Sequence, residues 1–366
     1  MKKNMMPAII VWMMWLAAVA TTSAQSNFDV SLIVDFSSAE QLLDYFDHQV
    51  SNSSRVAELR GNRLAAATSV MLARTARSSD DVVQQLELAR DLAQYNNDIY
   101  GLLPAKQHIN EIRKLLTEAK RRQIDRRVIA TLASYFPTDT KIFSTIRVYM
   151  VAMGNERAAA VVRRVIWHGD VPQFVGEGEG EPIIIFNLAR TIESSSDVQA
   201  QFLELLATLA HESFHAVYSV FKQSLPGSLN PQTYSEQLLD IVQNEGIAYY
   251  LSLEIHRQGR MMSREWFDET AKAVGALNHA LTELSPPNCP PSRARQLLMD
   301  ANLSGSFSGN YGATAGLRMA YEIDTRLGRQ ALTATLLNGT QSFVEAYQQA
   351  CVRERMLPPI DVRVAK

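Results

Sequence analysis

Cysteine is nearly absent: Cys289 and Cys351 are the only two in 366 residues. At most one disulfide can form, and it would staple only the C-terminal third. An excess of either charge is missing too. Lys and Arg number 36 against 38 Asp and Glu, which argues against a general nucleic-acid surface. Long apolar runs are missing after about the first twenty residues, so no later stretch suits a bilayer-spanning helix. The glycines of 175–182 do not follow the dinucleotide-binding fingerprint. Glu177, Glu179 and Glu181 among them would repel phosphate, so this stretch reads as an acidic loop.

At the start of the chain, Lys2 and Lys3 precede an apolar run over 8–20, and Thr22-Ser23-Ala24 supplies small residues before Gln25. That is the pattern of a signal peptide over 1–24, cleaved after Ala24. The expected product is exported, periplasmic or secreted, with no transmembrane span once the leader is gone. Residues 25–138 read as a helical N-terminal region, with apolar residues at helical spacing over 82–92 and 109–132. Its basic stretch over 114–127 is interspersed with Glu118 and Asp125 and reads as a solvated helix face. Residues 142–153 alternate like a strand, and 182–188 form a short branched apolar run of the same kind. Beyond them helical spacing returns. The expected fold class is mainly α (α+β): a helical N-terminal region, a small β-sheet, and a helical C-terminal region, the last two forming one domain over 139–366.

One stretch carries chemistry. Thr208-Leu209-Ala210-His211-Glu212-Ser213-Phe214-His215-Ala216-Val217 places His-Glu-x-x-His in an apolar setting. On a helix, residues four apart stand on one face, so His211 and His215 can aim two imidazole nitrogens at one point. Such a pair grips a zinc ion, which takes nitrogen, sulfur and oxygen ligands in a tetrahedron. Glu212 lies about 100° round the helix. There it is better placed to take a proton from a water than to bind the metal. Two histidines satisfied by core hydrogen bonds are the alternative.

Zinc needs a third ligand. Thr233 and Glu236 have capping-box spacing and open a second helix. Leu238, Ile241, Val242, Tyr249 and Leu253 follow at helical spacing. Glu245 either interrupts that apolar side, where a carboxylate needs a cation, or stands exposed beside Gln243 and Asn244. His256 and His279 are further possible ligands without a supporting motif.

His211-Glu212-x-x-His215 followed by Asn244-Glu245-Gly246-Ile247-Ala248 resembles the gluzincin group of metallopeptidases, and in particular uncharacterised bacterial families of zinc-dependent peptidases. The resemblance covers about 201–256. It implies Zn2+ held by His211, His215 and Glu245, with Glu212 as general base in the hydrolysis of a peptide or protein substrate. It also implies that a strand before the zinc helix holds that substrate in extended form; 183–188 is the candidate edge. A weaker likeness around 316–329 implies a tyrosine that stabilises the oxyanion, and Tyr311 is the candidate. The chain departs from the pattern at Tyr249, where such families often carry an Asp that orients a metal histidine. Asp240 or Glu204 is the candidate replacement. That departure motivates an alternative function, a non-catalytic exported zinc-binding or interaction protein derived from a peptidase fold.

Overall fold

The computed structural model describes residues 28–360 except 74–80, 92–97, 139, 155–158, 177, 226–230, 286–288, 303–309 and 353–358. The leader read over 1–24 lies outside the described residues. The chain is mainly helical with one small sheet, as its periodicities indicate.

The N-terminal part begins with strand β1 (Phe28–Asp35), then helices α1 (Ser37–Phe46), α2 (Ser53–Ala57), α3 (Arg60–Ala73), α4 (Val82–Asp91), α5 (Leu102–Gln107), α6 (Ile109–Arg121) and α7 (Ile124–Ala133). Four strands follow: β2 (Ile142–Val151), β3 (Ala160–His168), β4 (Val171–Val175) and β5 (Glu181–Asn187). The remainder is helical: α8 (Leu188–Ile192), α9 (Val198–Ser224), α10 (Tyr234–Arg257), α11 (Arg264–Leu284), α12 (Pro291–Asn302), α13 (Tyr311–Leu327) and α14 (Arg329–Val352).

Residues 28–35 correct the helical reading of the N-terminal region. Val30 and Leu32 are buried while the residues between them are exposed. That period of two belongs to a strand, and β1 pairs parallel with β2. The long apolar run of β2 is buried from Val148 onwards without alternation, as a strand covered on both faces should be.

The sheet order is β1-β2-β5-β3-β4. β5, expected at an edge, is therefore central, parallel to β2 and antiparallel to β3. Its Ile183, Ile184 and Phe186 are fully buried, and a strand that apolar suits the middle of a sheet. The strand beside α9 that keeps an open edge is β3. Asn187 N donates to Ala159 O, which fixes the alternation of this antiparallel ladder. Val161, Arg163 and Val165 thus bond to β5, and the main-chain groups of Ala160 and Val162 face the other way. β4 pairs only with residues 164–168. Among the described residues no strand covers Ala160 and Val162.

α9 packs across β2, β5 and β3, and α10 packs on α9. Asp197 caps α9 by accepting from Ala200 N. The capping box on α10 forms as its spacing predicts: Glu236 N donates to Thr233, and Thr233 N to Glu236. α13 crosses α10 at bare backbone. A Cβ on Gly246 would stand 2.4 Å from Gly316 Cα, and one on Gly316 would stand 1.9 Å from the Val242 carbonyl oxygen. Cys289 and Cys351 are both free thiols.

Candidate metal centre

α9 and α10 bring three side chains to one point. His211 Nε2 lies 3.0 Å from His215 Nε2. Glu245 Oε2 lies 3.6 Å from the first and 3.5 Å from the second. Zinc ligands at about 2.0–2.2 Å in a tetrahedron stand roughly 3.3–3.6 Å from one another. The two sides that end on Glu245 have that length and the imidazole pair stands a few tenths of an ångström closer; the donors, two imidazoles and a carboxylate, suit zinc. Among the described residues this is the one group of three or more His, Cys, Asp or Glu side chains close enough to share an ion.

The electrostatics fit the same picture. Burial works to lower the pKa of the His215 imidazole, but Glu245, Glu212 and Asn244 outweigh it and hold it at about 9. Burial works to raise that of Glu245, and the two imidazoles hold it well below the usual carboxylate range. Glu212 differs. Burial pushes its carboxyl up, against the pull of the imidazoles, and Glu245 adds to the rise. A carboxylate made more basic in this way suits proton transfer.

The partner that orients a histidine is one the sequence reading missed. His215 Nδ1 donates to Asn244 Oδ1 at 2.9 Å, which leaves Nε2 facing the triad. The Asn-Glu pair in the motif carried this signal, since one helix turn sets both side chains beside the histidines. Asp240 and Glu204 are otherwise engaged. Asp240 pairs with Lys222 at 2.6 Å. Glu204 accepts from Thr208 and faces His256 Nε2 at 3.3 Å. Tyr249 packs its ring against His211, with centroids 4.6 Å apart. An aromatic edge stands where an orienting carboxylate was expected.

Tyr311 is not brought to the triad. It opens α13 after the Asn310 cap, and its hydroxyl donates to the Leu297 carbonyl at 2.7 Å. Two cavities meet at the centre. One of about 1100 Å³ is bordered by His211, Glu212, His215, Glu245 and the open edge of β3. The other, of about 420 Å³, is bordered by His211, Glu212, Tyr249 and Trp266. Tyr249 borders both.

A family model described as "Putative zinc dependent peptidase (DUF5700)" matches residues 42–355. No curated protein and no solved structure matches the chain. The matched span holds most of the chain and the whole of the triad, and the chain belongs to this family.

Proposed function

We propose that the protein is an exported zinc metallopeptidase in which His211, His215 and Glu245 hold the ion and Glu212 is the general base. The observation that carries the reading is the triangle of 3.0, 3.5 and 3.6 Å with a basic carboxylate beside it and a cavity in front of it. Zinc in that triangle supplies a Lewis acid that polarises the scissile carbonyl and brings a water's pKa towards about 7.

The chain's own residues do the rest. Glu212 takes the proton of the attacking water and returns it to the leaving amine. Tyr249 borders both cavities, and burial together with Glu245 and Glu212 pushes its pKa up to about 12. Its hydroxyl therefore keeps its proton and is the donor offered here to the developing oxyanion, in place of Tyr311. The substrate backbone lies along β3. Ala160 offers a main-chain donor and acceptor there, and Val162 a donor beside a carbonyl that also accepts from Arg163 Nη1 at 3.2 Å, so an extended peptide can add as a further strand and any sequence can pair. The leader pattern over 1–24 supports action outside the cytoplasm. Among the described residues no helix is long and apolar enough to cross a membrane.

The test is Glu212→Gln in zinc-loaded protein, read by zinc content and by digestion of a peptide library with and without chelator. The reading expects full zinc and at least about a hundredfold loss of hydrolysis. Wild-type protein that binds zinc and cleaves nothing would favour the non-catalytic alternative. Unchanged hydrolysis by the variant would remove Glu212 from the chemistry.

A further inference from the structure

The smaller cavity runs from the metal centre towards the N-terminal half of α9. Its walls include the apolar Ala207, Leu253, Trp266 and Leu317 and the hydroxyl residues Thr208 and Ser252, and its lining takes in Glu204 and His256. Glu204 lies seven residues before His211 on the same helix, roughly 10 Å along its axis. Among the described residues no Lys or Arg lines this cavity. Arg318 lies over Trp266 at 5.6 Å and is paired with Glu322 at 2.7 Å.

Glu204 is not saturated. One oxygen accepts from Thr208 at 3.2 Å and the other faces His256 at 3.3 Å. An ionised carboxylate has about four acceptor positions, so both oxygens can take another donor. Its side chain is 37% exposed, so that donor can approach from the cavity. A side chain that enters at the metal centre first meets apolar surface and then, at its tip, an anion. Short apolar side chains stop before Glu204. Lys and Arg lay an apolar stem along such walls and carry a charged head beyond it, and an indole face beside the stem favours a cation further.

We propose that this cavity is the side-chain pocket for a residue flanking the scissile bond, and that Glu204 makes the protein select a long cationic side chain, Arg or Lys, at that position. The inference rests on the peptidase reading above. It assigns Glu204 a role in specificity instead of the metal-orienting role considered from the sequence.

Two measurements on the zinc-loaded mature chain separate the pocket from the chemistry. The first is the affinity of paired dipeptide hydroxamates, identical except for Arg or Leu at the residue beside the zinc-binding group, measured by calorimetry. The Arg compound should bind more tightly to the wild type. That advantage should fall about tenfold in Glu204→Gln, as expected for one charged hydrogen bond. Glu204→Lys should reverse it. The second is sequencing of library cleavage sites, where Arg or Lys should be enriched at one flanking position and the enrichment lost in Glu204→Gln. Hydroxamate selectivity without any cleavage would keep the pocket and sink the peptidase reading. Equal affinities, tighter binding of the Leu compound, failure of both compounds to bind, or a preference that survives Glu204→Gln would overturn the pocket assignment.

Discussion

Asn244 does for His215 what a carboxylate does in many zinc sites, with a neutral amide and therefore less pull on the imidazole. Removing that acceptor frees the ring to rotate. Asn244→Ala should weaken zinc binding by about 10–100-fold in a competition titration against a chelator. His215 also sets a pH dependence. Its folded-state pKa of about 9 stands above the ordinary 6.5. In the metal-free protein the stability it adds is therefore complete below about pH 6.5 and is lost as pH rises through 9. Zinc must displace that proton, so apparent zinc affinity should rise over the same window. Thermal melts of apo and zinc-loaded protein across pH 6 to 9 should diverge, the apo melting temperature falling relative to the loaded one. At this scale the meeting of His211 and His215 was legible because four-residue spacing on a helix is local geometry, whereas Glu245, on a second helix, was indicated by the apolar side it interrupts and by the family resemblance. The place of Tyr311 was not legible, because the direction of its hydroxyl depends on α12, which no local spacing encodes.

Between elements, the third donor is placed by a glycine contact. Gly246 follows Glu245 directly, and its bare Cα lets α13 approach until Gly316 lies where a Cβ would sit. Gly246→Ala must push the two helices apart against backbone atoms, not flexible side-chain ends. The expected cost is about 1–3 kcal/mol of stability, read as a lower denaturant midpoint, with weaker zinc binding as Glu245 is displaced. The helices themselves were readable from caps and periodicity: Thr233 opens α10 where the capping-box spacing to Glu236 places it. β1 escaped because its two-residue alternation adjoins a helical run. β3 and β4 escaped because Arg163 and Arg164 interrupt the apolar pattern of one, and Pro172 lies in the other. The apolar run of β5 pointed away from an edge, but its neighbours in the sheet could not be read. A buried apolar strand looks the same whether its neighbours are near or far in sequence, and β1 reaches the sheet across seven helices.

Across the whole molecule, one buried apolar cluster runs from Val30 to Ile360. The two helices that carry the triad are anchored in it: Phe214 and Val217 on α9 and Val242 and Ile247 on α10 are buried in the same cluster. Zinc is thus added to a scaffold that hydrophobic burial already holds. Chelation should lower the melting temperature without unfolding the protein. Saturation at a hundred times the dissociation constant adds about 2.7 kcal/mol, or about 4 °C for a chain of this length. Far-ultraviolet circular dichroism before and after chelation checks this, and loss of helical signal at room temperature would show that the ion builds the fold. Whether two helices hold one ion through His211, His215 and Glu245 is tested most directly by elemental analysis of zinc per chain, after dialysis against a weak chelator, in wild type and Glu245→Ala. One zinc per wild-type chain and none in the variant is the result predicted; equal zinc in both would contradict it.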